Sequence, residues 1–206
     1  MGWLRTTSRA IIHGPEELGG FNIPHLYAIQ GTTKLMTIYK HMQANTEMGQ
    51  LITLNINWLQ LTVGWETQIF EDTRKITYVK TNWLIHLKEY INKCQIQIKS
   101  QKFWKPKMKR EKDLMVMDEA LKFTSNVVHL KYINAWRIYF NVLTLSDMCD
   151  GVGKQVLEPY RIFKHAESHT NIRTSKLNWP NQTRPNSTTF LIWLRFLKHA
   201  FKMQNN

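Results

Sequence analysis

The sequence predicts a mainly α protein: a helical bundle of five or six helices with long loops and at most a small β-hairpin. Three observations favour this class. Apolar residues recur at intervals of three and four in several segments of helical length. Residues typical of helix caps and stops, such as Thr46 and Gly64, flank those segments. The polar–apolar alternation of a strand is confined to residues 95–99 (QIQIK).

The length and composition are those of a folded protein. A chain of 206 residues is long enough for one sizeable core or two small ones. Hydrophobic residues make up 43% and aromatic residues 12%, which excludes a disordered chain. Two cysteines, Cys94 and Cys149, exclude a disulfide-dense scaffold and a four-cysteine zinc site.

The first third of the chain contains a loop and two helices. Glycines and prolines punctuate residues 13–24 and leave no room for a helix. The first helix has an apolar face made of Leu35, Ile38, Tyr39 and Met42. A second helix begins at Thr46 and ends at Gly64, and its predicted apolar face consists of Leu51, Leu54, Trp58 and Leu61.

The middle of the chain is predicted to contain a loop and three more helices. Residues 66–80 are polar without a clear period and indicate the loop. Thr81 or Asn82 caps the third helix, whose apolar face is Leu84, Leu87, Ile91 and Cys94. Residues 113–123 form a short helix, and residues 126–143 a stronger one with Leu130, Ile133, Trp136 and Phe140 on its apolar face.

The C-terminal part is predicted to end in a helix. Residues 150–153 indicate the turn of a small hairpin, and residues 164–189 a long loop. Thr188 or Thr189 caps the last helix, whose inward face consists of Phe190, either Trp193 or Leu194, Leu197 and Phe201. Four of the eight tryptophans lie on or beside apolar helix faces and are predicted core residues: Trp58, Trp83, Trp136 and Trp193.

The net charge of +13 is concentrated in two segments. Residues 102–112 hold six basic side chains and one acidic, and residues 159–206 hold eight basic and one acidic. The rest of the chain is nearly neutral, with 14 basic and 13 acidic residues. A solvated linker and a basic tail would give the same count, but two concentrated segments favour contact with a polyanion.

The basic segments supply the candidate binding residues. Aromatic and basic residues alternate around Trp104, whose ring either stacks on a base or packs on the core. Arg137 and Lys131 lie away from Trp136 on their helix and face either solvent or nucleic acid. The other candidates for phosphate contact in these regions are Lys105, Lys107, Lys109, Arg110, Arg184, Arg195, Lys198 and Lys202.

Motifs of catalysis and metal binding are missing from the sequence. No Gly-rich loop ends in the Lys-Ser/Thr of a phosphate-binding loop. His165 and His169 lie four residues apart in a loop-like context, which disfavours a zinc site. We therefore expect no cofactor, metal or catalytic residue. Without a membrane-spanning run or a secretory signal, an intracellular protein that is neither secreted nor membrane-bound is expected.

Several blocks in order resemble the region downstream of the palm in reverse transcriptases of LINE-like (non-LTR) retrotransposons. Residues 19–26 (GGFNIPHL) are similar to the Gly-Gly-(Leu/Phe)-x-(Ile/Leu)-Pro-x-Leu element that opens the thumb of that family. Three further blocks are similar to the same region of that family. They are Trp104-Lys-Pro106 with Arg110, Asp113 and Met117-Asp118; residues 143–147 (LTLSD); and Trp179-Pro180 with Arg184-Pro185 and Trp193. The resemblance covers most of the chain, but no Asp-Asp pair of the family's metal-binding turn occurs.

The resemblance implies a fragment that lacks the catalytic palm and grips primer–template. It implies an N-terminal loop (1–26), a helical thumb-like or connection domain (27–160) and a basic loop with a C-terminal helix (161–206). By position, it adds Lys34, Lys40 and His41 as nucleic-acid contacts. RNA, DNA or an RNA–DNA hybrid is the expected partner, with the parent polymerase's palm as a second. The alternative is a degenerate protein-interaction module with no role in nucleic-acid binding.

Overall fold

A computed structural model describes residues 8–98, 102–108, 110–151, 155–163, 180 and 183–204, with side chains up to Phe201. Its helices confirm the mainly α class. Six helices within these residues have at least eight residues, as predicted, and two are shorter. The bounds are α1 (Arg9–His13), α2 (Leu26–Gln43), α3 (Glu47–Val63), α4 (Trp83–Lys93), α5 (Val116–Phe123), α6 (Val127–Tyr139), α7 (Glu158–Arg161) and α8 (Ser187–Gln204).

Two short 3-10 turns and two isolated bridges complete the described secondary structure. The turn Glu16–Leu18 lies where the sequence predicted no helix, because Gly19 in the left-handed region closes it with a single hydrogen bond to Glu16. The second turn is Leu145–Met148. Antiparallel bridges join Met115 to Thr144 and Cys149 to Val156, and the second lies where the small hairpin was predicted.

Most helix ends were predicted correctly. The Thr46 side chain accepts a hydrogen bond from the backbone N–H of Gly49 at the start of α3. Gly64, with φ of 73°, ends that helix. Asn82 caps α4 by accepting from the N–H of Ile85. The predicted cap of α8 was wrong, because the side chain of Asn186 accepts from the Thr188 N–H at 3.2 Å.

The core lies between two groups of helices. Helix α2 packs on α3 and α4, and α5, α6 and α8 pack on one another. The apolar face predicted for α6 is buried, as are Phe190, Trp193 and Leu197 of α8. Aromatic rings fill this second group: Trp136 lies 4.9 Å from Phe190 between centroids. Burial of Trp136 and Trp193 is therefore confirmed.

The face predicted for α3 was largely wrong. Leu51, Leu54 and Trp58 are exposed, while Leu61 is buried as expected. The helix instead buries Ile52, Ile56, Leu59 and Val63. The error arose because α3 carries two apolar faces, and helical periodicity alone does not indicate which of them meets the core. The prediction that Trp83 is buried was also wrong, since 39% of it is exposed at the start of α4.

Buried polar groups organise the irregular segment 64–80. The amide of Gln60 donates to the carbonyls of Trp65 and Thr67 and accepts from the N–H of Ile69, each at 2.9 Å. The Tyr78 hydroxyl donates to the Val63 carbonyl at 2.7 Å. These bonds replace those of regular structure and hold this segment against α3.

Two further expectations fail in the segment after α4. Cys94 was expected on the buried face, but α4 ends at Lys93 and Cys94 is exposed. Residues 96–98 form no strand, so the polar–apolar alternation there was misleading.

Of the predicted loop at 164–189, residues 164–179 lie outside the described residues, and with them His165 and His169. No helix among the described residues is long and apolar enough to cross a membrane.

Candidate nucleic-acid interface

The basic segment 102–112 is anchored to the helices by its aromatic residues. Phe103 is buried, and its ring lies 6.0 Å from that of Phe70. The backbone N–H of Trp104 donates to the side-chain oxygen of Asn57 on α3 at 2.9 Å. The sequence left open whether Trp104 stacks on a base or packs in the core. In the structure Trp104 is half-buried, which lies between these two alternatives. The anchoring fixes where the neighbouring cations emerge.

Several cations of this segment already bind partners within the chain. Lys105 forms an ion pair with Glu71 at 2.9 Å. Lys102 donates to the Met42 carbonyl at 2.8 Å, and Arg110 to the Asp150 carbonyl at 3.0 Å. Lys107 is exposed and has no partner in the part of the chain that the structure describes. Lys109 lies outside the described residues.

Helix α8 presents cations on its outer side. Arg195 and Lys198 are exposed one turn apart, and neither has a partner within the described ranges. The opposite side of the helix is fixed in the core, where the Trp193 ring nitrogen donates to the Tyr160 carbonyl at 3.0 Å. The side chain of Lys202 lies outside the described part. A rigid helix thus holds two unpaired positive charges in solvent, which is the geometry that phosphate contacts require.

The candidates on α2 do not share one face. Lys34 and His41 are seven residues apart and lie on one side, whereas Lys40 lies about a third of a turn away. The His41 ring hydrogen-bonds the Thr46 hydroxyl at 3.0 Å, beside the turn into α3. Lys40 is exposed and Lys34 half-buried. The structure therefore does not unite these three residues in one contact site.

Arg137 is not a surface residue, so its assignment to a nucleic-acid contact was wrong. Its side chain is fully buried. The guanidinium donates to the carbonyls of Leu61 and Thr62 at 2.9 and 2.8 Å and to the Asn134 side chain at 2.9 Å. Burial lowers the pKa of Arg137 to about 10. Arg137 thus satisfies the last carbonyls of α3, which have no partner within their own helix.

Arg184 is also engaged with the protein itself. It lies at the edge of the described C-terminal region and is half-buried. Its guanidinium lies 3.9 Å from the ring centre of Phe163 and donates to the Phe163 carbonyl at 2.7 Å. Arg184 therefore has a structural role in joining the residues before α8 to those after α7.

A second group of cations with partners inside the protein lies beside the Trp65 ring, Arg74 at 4.4 Å and Lys88 at 5.6 Å from its centre. Arg74 binds Asp72 at 2.7 Å and Asp118 of α5 at 2.6 Å. Partial burial by itself lowers the pKa of Arg74, but the hydrogen bonds with both carboxylates outweigh this effect and raise the pKa above its usual value. The buried Lys88 donates to the Asp72 carbonyl, and burial lowers the pKa of Lys88 to about 8. These cations hold the segment 64–80 rather than an external anion.

Residues 148–151 and 155–163 contact Arg110 of the first basic segment and α8 of the second. Arg110 contacts this stretch through Asp150, and α8 contacts it through Tyr160. Arg161 of α7 is exposed there and has no partner among the residues described, so it adds a cation that was not among the predicted contacts. The signal in the sequence was the charge count of residues 159–206, which includes Arg161.

The described residues contain no group of three or more His, Cys, Asp or Glu side chains arranged to hold a metal ion. Comparison with protein-family models, curated proteins and solved structures found no match to this chain.

Proposed function

We propose that this chain is a nucleic-acid-binding helical segment of a retroelement RNA-directed DNA polymerase, with no catalytic activity of its own. It binds RNA, DNA or an RNA–DNA hybrid inside the cell, through phosphates and with little sequence preference. The palm of the parent polymerase is its protein partner. The lack of an Asp-Asp pair in the sequence motivates the non-catalytic assignment, and a nucleotide-incorporation assay with the purified chain tests it.

The observation that carries the proposal is the outward pair of cations on α8. Arg195 and Lys198 are exposed, close to each other and unpaired in the described structure. Lys107 and Arg161 are also exposed, one in each of the two basic segments. The formal net charge of +13 attracts a polyanion over a distance, and the unpaired cations provide the contacts at short range.

Two of the regions that carry the resemblance are in contact with each other. The Asp113 carboxylate accepts a hydrogen bond from the Ser146 N–H at 3.1 Å. Met115 pairs with Thr144, and the Val116 N–H donates to the Leu143 carbonyl at 2.9 Å. Blocks separated in the sequence thus form one structural unit, which favours treating them as parts of a single fold.

The salt dependence of binding tests the proposal. Fluorescence anisotropy with labelled RNA–DNA hybrid and single strands should show affinity falling steeply as salt rises, because bound cations release counterions from the strand. The double substitution Arg195→Ala with Lys198→Ala removes two phosphate contacts. It should reduce the slope of log K against log salt by about 1.8 on a duplex and about 1.4 on a single strand.

A matched control separates the α8 face from total charge. Lys75→Ala with Lys80→Ala also removes two exposed cations, from outside the two basic segments. This control should leave the slope nearly unchanged. An equal reduction by both double variants would overturn the assignment to α8, and a flat salt dependence would overturn phosphate binding altogether.

A further inference from the structure

Helix α3 carries an apolar face on each of two sides. One side packs in the core through Ile52, Ile56, Leu59 and Val63. The other side, which we call the outer stripe, consists of Met48, Leu51, Leu54 and Trp58, and these side chains are 43–67% exposed. A soluble helix in contact with water on one side normally has polar residues there. Four large apolar side chains in one row therefore indicate a missing partner.

The outer stripe also lacks charge. Glu47, at the first position of α3, is the only charged residue of this helix. Amides lie beside the stripe instead: Gln50 and Asn55 are exposed and Asn57 is half-buried. The Asn55 amide nitrogen donates to the Leu51 carbonyl, which leaves its oxygen to accept from a partner. Amides both donate and accept, so they can pair with copies of themselves, whereas lysines and glutamates cannot.

The lack of charge on the outer stripe, together with the positive charge of the whole chain, favours a second copy of the chain as the occupant of this face. Two chains of net charge +13 repel each other, and they approach most easily through a face without charge. A two-fold interface uses the same surface on both partners, so that surface must be self-complementary. An apolar row flanked by amides meets this requirement. Beside the outer stripe, Glu47 lies at the first position of α3, and Lys102, which lines a hollow with Leu54, already donates to the Met42 carbonyl, so a charged partner would find little to recognise there.

The available area fits an interface of modest size. Large side chains bury roughly 150–250 Å² when fully covered, so the half-exposed outer stripe offers on the order of 400 Å². A standard interface buries about 800 Å² on each partner. Further surface adjoins the stripe: Leu54 and Met42 line a hollow of about 270 Å³. This continues past Met42 into a groove of about 540 Å³ with Met36 and Tyr39 on its wall.

We propose that this chain forms a two-fold dimer in which the outer stripes of two α3 helices pack against each other. Met48, Leu51, Leu54 and Trp58 follow the three–four spacing of helices that pair side by side. Antiparallel crossing of the two helices places Leu54 near the axis and sets the helix dipoles in opposite directions. The dimer is independent of nucleic-acid binding.

Sedimentation velocity of the full, nuclease-treated chain tests this dimer. The dimer should strengthen as salt rises, because screening reduces the repulsion between two positive chains. Association bridged by nucleic acid would weaken instead. Leu54→Glu should weaken the dimer at least about tenfold, because it places two like charges at the axis. Since Leu54 is 67% exposed, this change leaves the core intact, and circular dichroism checks the fold.

Two further variants complete the test. Leu191→Glu on α8 changes a leucine that is also exposed, at 60%, and should leave the dimer unchanged. A mixture of Leu54→Glu and Leu54→Lys chains should restore association, because the two-fold axis brings opposite charges together. A chain that stays monomeric at high salt, a dimer indifferent to Leu54→Glu, or a monomer that uses this stripe to bind neutral lipid vesicles would overturn the proposal.

Discussion

The cations near the end of α3 and those on the outside of α8 have opposite roles, although both add equally to the net charge. Around α3, Arg137 and Lys88 are buried and donate to backbone carbonyls. On α8, Arg195 and Lys198 lie in solvent without partners in the described part of the molecule. Net charge alone therefore does not indicate how many cations are available to a phosphate.

The difference has a local cause. Helix α3 ends inside the protein, where its last carbonyls have no water to bind, and the irregular segment that follows adds more unsatisfied oxygens. Long basic side chains supply the missing donors. Helix α8 has one side in the core and the other in solvent, so its basic residues need no internal partner.

The largest expected effect comes from making the same substitution in the two regions. Arg137→Met should lower the free energy of unfolding by about 3 kcal/mol, because it leaves the buried Leu61 carbonyl and Asn134 side chain and the part-buried Thr62 carbonyl without this donor. Arg195→Met should change that free energy by no more than about 0.5 kcal/mol. Chemical denaturation of both variants measures this contrast.

The same two substitutions should affect nucleic-acid binding in the reverse order, with the larger effect at Arg195. Arg195→Met should reduce the salt slope by about 0.7–0.9, the contribution of one phosphate contact. Arg137→Met should leave the slope unchanged under conditions in which the variant is folded. A stability loss below about 1 kcal/mol for Arg137→Met would contradict the role of this guanidinium in capping α3.

A somewhat smaller effect is expected at Gly64, which ends α3 with φ of 73°. Gly64→Ala should destabilise the protein by about 2 kcal/mol. Part of this arises because a side chain disfavours the left-handed region. The rest arises because the added Cβ would lie 2.9 Å from the Arg137 guanidinium. Gly19→Ala is the matched control, since Gly19 also has a positive φ, of 78°, and its added Cβ meets nothing within 4 Å; equal losses of stability in the two variants would exclude crowding at Arg137.

The smallest effect, when it is expressed per pH unit, is the pH dependence contributed by Lys88. Its pKa is about 8 in the folded protein and 10.5 ordinarily, so between these values the unfolded chain binds more protons. The contribution of Lys88 to stability should therefore rise with pH across this window, by up to about 1.4 kcal/mol per pH unit. Below pH 8 it should be constant. Denaturation of the wild type and of Lys88→Met at several pH values gives the difference in their free energies of unfolding. If the stability of the wild type relative to the variant fell as pH rises, the prediction would be wrong.

Some apolar faces were predictable from the sequence, although on the face predicted for α2 Ile38 is buried and Tyr39 is exposed. The face of α6 and the ends of α3 at Thr46 and Gly64 follow from spacing and cap chemistry, and the structure agrees. The buried face of α3 was not predictable, because the choice between two apolar faces depends on contacts with distant residues. The role of Arg137 was hidden for the same reason, since its partners lie 75 and 76 residues earlier in the chain.

The candidate interface was only partly predictable. Charge counts correctly indicated exposed cations at Lys107, Arg195 and Lys198. They did not distinguish these from Lys105, which pairs with Glu71, or from Arg184, which stacks on Phe163. Ion pairs and ring contacts between distant segments depend on the folded arrangement and leave no periodic pattern in the sequence.

The bond between Arg137 and the end of α3 has a consequence for how the chain is made. Because a ribosome releases the N-terminal residues first, α3 emerges long before the guanidinium that caps it, 76 residues later. Until then, water must solvate the Leu61 and Thr62 carbonyls. A fragment cut between α4 and α5 would keep this exposed end permanently, so the first four helices depend on a residue from the other half to complete their fold.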